Sequence, residues 1–76
     1  MEEKFLDILE DICGDEVVRE DLDINMVEEG LIDSLDFIEL IVAIEDEFGV
    51  KIEPSEYTRE EFDTPNKIMN IIKSKM

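Results

Sequence analysis

Phe5, Ile8, Leu9, Ile12 and Cys13 recur at i, i+3, i+4, i+7 and i+8, the spacing that lines up apolar side chains along one face of an α-helix. The same period returns further on, and no long stretch alternates with the period of two that a strand requires. A chain of 76 residues lies near the lower limit for a core that holds without staples. One cysteine excludes an internal disulfide, and no metal-site spacing is present. The fold must therefore be held by helix packing around Ile, Leu, Val, Phe and Met. The expected class is all-α, one small domain over residues 1–76, with three main helices, one short helix and a long first loop.

The first helix is expected over about Glu2 to Cys13, ended by Gly14. Cys13 falls on its apolar face and reads as a small buried hydrophobe. A long polar connection follows, through about Ile32. Its scattered Val17, Val18, Leu22, Ile24, Met26, Val27 and Leu31 suggest a loop laid over a core, which is unusual at this length. The second helix is expected from Ser34 to Phe48, with Asp33 as N-cap and Gly49 as its stop. Val50-Lys51-Ile52-Glu53-Pro54 reads as an extended link, since a residue before proline is pushed out of helical space. Ser55 to Phe62 suggests a short helix or a turn and a half. The last helix begins at Thr64, with Pro65 at the first helical position, and Ile68, Ile71 and Ile72 form its apolar stripe.

Charge narrows the range of partners. There are 7 basic against 23 acidic residues, a net charge of -16. Nucleic acid is excluded as a ligand, because phosphate contacts need Lys and Arg. From Glu20 to Val50 the chain has carboxylates and no Lys or Arg at all, so the middle of the chain either steers basic partners or is only a solubilising surface. Asp21-Leu22-Asp23-Ile24-Asn25 imitates the start of an EF-hand loop, but Met26 stands where glycine is needed and Ile32 where the bidentate Glu is needed. The calcium reading fails. Met1-Glu2-Glu3-Lys4 lacks the features of a secretory leader, and no apolar stretch approaches spanning length. A cytoplasmic protein that does not insert in the membrane is expected.

The second helix has two apolar sides. At roughly 100° per residue, Phe37, Leu40, Ile41, Ile44 and Phe48 face one way, enough to anchor it. Leu35, Ile38 and Val42 face nearly the opposite way, flanked by Glu39, Glu45 and Asp46. Either this second stripe is a docking ridge rimmed with acids, or the long loop folds over it. Ser34 lies at its start, between Asp33 and Leu35. The chain has no histidine, and no Gly-x-Ser-x-Gly elbow surrounds the serine, so a nucleophile acting on its own behalf lacks its base. The residue is either a plain helix-start serine or a hydroxyl to which another enzyme attaches a phosphate-linked group. A helix N-terminus suits such a group.

Gly30-Leu31-Ile32-Asp33-Ser34-Leu35-Asp36, with Glu39-Leu40 and the run Ile44-Glu45-Asp46-Glu47-Phe48-Gly49-Val50-Lys51-Ile52, resembles the 4′-phosphopantetheine attachment region of acyl and peptidyl carrier proteins. The resemblance covers essentially the whole chain. It implies a four-helix bundle of acyl-carrier-protein type, without catalytic activity, whose Ser34 bears a 4′-phosphopantetheine arm and whose cargo is held as a thioester. Asp33, Leu35, Asp36, Ile38, Glu39, Val42, Glu45 and Asp46 would then meet partner enzymes. These would be a phosphopantetheinyl transferase, an adenylating ligase that loads the cargo, and a downstream acyltransferase, membrane-bound in one reading, all served by a monomer. Tyr57, Arg59-Glu60, Phe62 and Thr64-Pro65-Asn66-Lys67-Ile68 resemble the D-alanyl carriers of teichoic-acid D-alanylation. Leu35-Asp36 after the serine instead follows the fatty-acid carriers, so an acyl carrier of fatty-acid or polyketide synthesis and an unmodified acidic interaction module remain as alternatives. Phe37, expected to point inward near Ser34, with Phe48 and Phe62, suggests filled space and a small cargo.

Overall fold

The computed structural model describes all 76 residues, with the side chain of Arg59 left out of the description. Four α-helices are present: α1 (Glu2–Cys13), α2 (Val17–Glu20), α3 (Ser34–Phe48) and α4 (Pro65–Lys75). Two 3-10 turns, Pro54–Glu56 and Arg59–Glu61, lie between α3 and α4. No strand occurs among the described residues. α1 packs against each of the other three helices. Its Phe5 and Leu9 meet Leu40 and Ile44 of α3 and Ile68, Met69 and Ile72 of α4 in one buried cluster. Removing a side chain such as Leu9 from a cluster of this kind costs about 2–5 kcal/mol.

The helix boundaries follow local chemistry. Gly14 ends α1 by donating its N–H to the Glu10 carbonyl at 2.7 Å. Gly49 does the same for α3, at φ 68°, a left-handed conformation that a side chain resists and glycine accepts. Thr64 accepts the Lys67 N–H at the start of α4, with Pro65 inside the first turn. The two 3-10 turns take the place of the short helix expected over Ser55–Phe62. Proline at 54 opens the first turn, and Thr58 N–H and Oγ1 both donate to the Glu61 carboxylate in the second.

The short α-helix lies instead in the first connection, where a polar loop was expected. Four residues cannot sustain a helix alone, because nucleation is unfavourable, and here tertiary contacts supply the difference. Asp15 Oδ1 accepts the Val17 N–H at 3.0 Å, Val18 is completely buried, and Arg19 reaches back to Asp7 and Glu10 of α1. The α4 stripe also differs in one place. Met69 is buried beside Ile68 and Ile72, while Ile71 is only half-buried. On α3, Leu40 and Ile44 are buried, whereas Phe37, Ile41 and Phe48 are half-buried, so its anchoring face is narrower than the period implies.

After α2 the chain runs from Asp21 to Asp33 without regular structure, yet it is tied down along its length. Met26 is fully buried, and its N–H donates to the Asp63 carbonyl at 2.8 Å. Its own carbonyl accepts from Leu31 and Ile32. Asn25 Nδ2 donates to Asp63 Oδ2 at 3.2 Å, and Lys67 Nζ donates to Asp63 Oδ1 at 2.8 Å. The Asn66 N–H meets the Leu22 carbonyl, and its side chain donates to Asp23 at 2.8 Å. The alternating polar residues that imitate a calcium loop thus lock a loop to the start of α4. Asn25→Ala removes one partner of the nearly buried Asp63 and should cost about 1–3 kcal/mol in urea unfolding, with faster amide exchange at Met26.

Candidate functional site

Ser34 is the first residue of α3, and its position is set by a reciprocal cap. Asp33 Oδ1 accepts the Asp36 N–H at 2.9 Å, while Asp36 Oδ2 accepts the Asp33 N–H at 3.2 Å. Such a cap holds the first turn rigid, and Ser34, exposed, stands between the two carboxylates in sequence. Among the described residues its hydroxyl makes no hydrogen bond. Because the Asp36 N–H is already engaged, the helix end offers an anion the first-turn amides beside it, Ser34 and Leu35. The arrangement suits an attached phosphodiester: the oxygen is accessible, its backbone is fixed, and no neighbour has to move to admit the bond.

Leu35, Ile38 and Val42 are 67%, 49% and 58% exposed. The long loop therefore does not cover the ridge, having been drawn to α4 by the contacts around Asp63. Glu39, Glu45 and Asp46 are exposed beside it, as is Asp33, whereas Asp36 is half-buried and committed to the cap. Lys4 pairs with Glu47, Lys73 with Glu2, Lys51 with Glu53, Lys67 with Asp63, and Arg19 with Asp7 and Glu10. None of these ion pairs takes up Asp33, Glu39, Glu45 or Asp46. The apolar ridge is thus open to water, and its acidic rim is left uncompensated by the described side chains. A surface of this kind draws in a basic partner and then offers it apolar contact area.

On its other side Ser34 borders an apolar cleft of about 210 Å³, shared with Phe37, Ile38, Ile41, Pro54, Tyr57, Thr58 and Phe62. Phe37 and Phe62 meet edge to face at 5.8 Å between ring centres, and Phe62 and Tyr57 at 5.1 Å. Sequence periodicity did not single out Tyr57, Pro54 or Thr58 as neighbours of Ser34. Of the aromatic residues expected to fill the space near Ser34, Phe37 and Phe62 line the cleft and Phe48 does not, and the fold brings Tyr57 there instead from the segment before α4.

The chain matches the family model of the phosphopantetheine attachment site over residues 3–72. It is 53% identical over 76 residues to a D-alanyl carrier protein of Abiotrophia defectiva, covering 100% of this chain and 96% of that one. It is 44% identical over 68 residues to the D-alanyl carrier protein of Bacillus velezensis, covering 90% and 87%. A D-alanyl carrier protein of Lactococcus lactis subsp. cremoris is 44% identical over 75 residues, covering 99% and 95%.

The single thiol of the chain takes no part in this site. Cys13 is half-buried, and burial, together with the negative charges of Asp36 and Asp15, pushes its pKa up to about 11 from an ordinary 9.0. The folded chain therefore holds this proton more tightly than the unfolded chain. The stabilisation is fully present below pH 9.0 and is lost as pH rises toward about 11. At pH 8 the thiolate is about one part in a thousand, so alkylation of the folded protein by iodoacetamide should be slow and should climb steeply between pH 9 and 11. A second expectation concerns the cap: Asp33→Ala should lower stability by about 0.5–2 kcal/mol, read by thermal unfolding.

Proposed function

The chain belongs to the phosphopantetheine-attachment family of carrier proteins, and we propose that Ser34 is the residue that bears its prosthetic arm. The carrier performs no catalysis. In this family the 4′-phosphopantetheine group, bound covalently through a serine, supplies a terminal thiol on which cargo rides as a thioester. What supports Ser34 is its place: an exposed hydroxyl, fixed by the Asp33–Asp36 cap, between an open apolar ridge and an apolar cleft. The residues around it act by position. Asp33 and Asp36 hold the helix start, Leu35, Ile38 and Val42 give contact area, and Glu39, Glu45 and Asp46 register a basic partner.

The cargo we assign is D-alanine, on the strength of the relatives' names and of the segment from Tyr57 to Ile68. The carrier is then a single domain and a monomer that works in the cytoplasm. A phosphopantetheinyl transferase primes it, an adenylating ligase loads it, and a downstream acyltransferase at the membrane takes the cargo for a cell-envelope polymer. No helix of the described residues is long and apolar enough to cross a membrane. Leu35-Asp36 after the serine favours the second reading, an acyl carrier of fatty-acid synthesis, and the mass of the adduct separates the two.

Intact mass of the protein from its native host should show an arm-sized increment and a further alanine-sized one that hydroxylamine removes. A long acyl increment instead of alanine would overturn the D-alanine assignment. Ser34→Ala should keep the helical spectrum and lose the arm altogether; an arm that persists means another residue carries it. Glu39→Lys or Asp46→Lys should weaken binding to the loading ligase by about 0.5–2 kcal/mol, more at low salt than at high salt, measured by calorimetry.

A further inference from the structure

Asn25 uses both ends of its side chain. Its Oδ1 accepts the Val27 and Glu28 N–H groups at 3.1 and 3.0 Å, a turn that aspartate would serve equally well. Its Nδ2 donates to Asp63 Oδ2 at 3.2 Å, which an aspartate carboxylate has no hydrogen to do. The backbone beside it gathers the rest of the loop. The Asn25 carbonyl accepts the Glu29 N–H at 3.0 Å, and the Met26 carbonyl accepts those of Leu31 and Ile32 at 2.9 and 3.3 Å. The loop is therefore folded around Asn25 and Met26, and both are tied to Asp63. It is also a wall of the attachment site. Val27 and Ile32 line, with Asp33, Ser34 and Phe37, a small cleft of about 190 Å³.

Resting on the assignment of Ser34, we propose that Asn25 and Asp63 are positioning residues for its priming: their contact holds the loop wall in the arrangement that a phosphopantetheinyl transferase accepts around the hydroxyl. Neither residue lines a cleft at Ser34, so both act through the loop. The anchor is held from α4 itself, since Lys67 Nζ donates to Asp63 Oδ1 and to the Glu60 carbonyl, each at 2.8 Å. Without the Asn25 contact the loop opens more often, as segments with few buried contacts do. A partner that accepts only the closed loop then meets a smaller competent fraction of the chain. Its apparent KM rises in inverse proportion to that fraction, while kcat at saturation stays the same.

The test is an exchange of donor and acceptor. Asn25→Asp keeps the turn but sets a carboxylate against Asp63. Adding Asp63→Asn restores the pair with its ends reversed, leaves the net charge as in the wild type, and still offers Lys67 an oxygen. Priming of the unmodified chain from coenzyme A by a phosphopantetheinyl transferase is followed by intact mass over a range of chain concentrations. The temperature is one at which each variant keeps its full helical spectrum. Asn25→Asp should raise the KM for the chain about tenfold with kcat unchanged, and amide exchange at Leu31 and Ile32 should quicken in parallel. The double variant should return both to within about twofold of wild type. Asp63→Asn alone sets an amide N–H against a donor and should raise KM about threefold; it carries the comparison if Asn25→Asp does not fold. A folded single variant with wild-type KM overturns the positioning role and leaves the assignment of Ser34 standing. A loss confined to kcat overturns it too, as does a double variant no better than the singles. A wild-type chain that takes no arm overturns the assignment of Ser34, and this inference with it.

Discussion

The carboxylate of Asp63, 8% exposed, is held by the Asn25 amide on one oxygen and the Lys67 ammonium on the other, and most of what is particular to this fold follows from that contact. A buried charge left without partners is destabilising, so the loop that brings Asn25 and the helix that brings Lys67 must both arrive. Met26 then enters the core with its N–H on the Asp63 carbonyl, and the rest of the loop closes on it through Leu31 and Ile32. The loop ends at Asp33, whose cap places Ser34 at the start of α3. Drawn toward α4 in this way, the loop leaves the opposite side of α3 uncovered.

That uncovered side is where charge and apolar area combine. A net charge of -16 opposes compaction through self-repulsion. Five of the seven basic residues offset it in ion pairs with carboxylates of α1, α3 and the segments around α4, and Lys75 lies over the Tyr57 ring. The rim of Glu39, Glu45 and Asp46 is outside this network. In the proposed function the repulsion that remains there is relieved when a basic surface docks, which would make association sensitive to salt. The chemistry is delegated accordingly. On that proposal the carrier supplies an accessible hydroxyl and a landing surface, and the enzymes it meets supply the chemistry.

Local patterns carried much of this. The boundaries of α1 and α3, the Asp33 cap, the glycine stops and the proline at the start of α4 each depend on residues within one or two turns, and each is where the pattern placed it. Ser34 and the ridge of Leu35, Ile38 and Val42 were legible for the same reason: a helical period needs no knowledge of the rest of the chain. α2 was not legible, because four residues become helical only when Val18 is buried and Arg19 finds Asp7 and Glu10. Nor were the roles of Asn25 and Asp63, which lie 38 residues apart and show no local sign of pairing.

By itself, then, the sequence determined the helical class, the main helix ends, the lack of any histidine near Ser34 and the presence of two apolar sides on α3. Only the tertiary structure decided which of those sides stays open, which residues line the cleft beside Ser34, and where the first loop rests. The division has a physical cause. Helix periodicity and capping are settled by contacts three or four residues apart, whereas exposure of the ridge and the lining of the cleft depend on where Asp63, Phe62 and Tyr57 arrive from the far end of the chain.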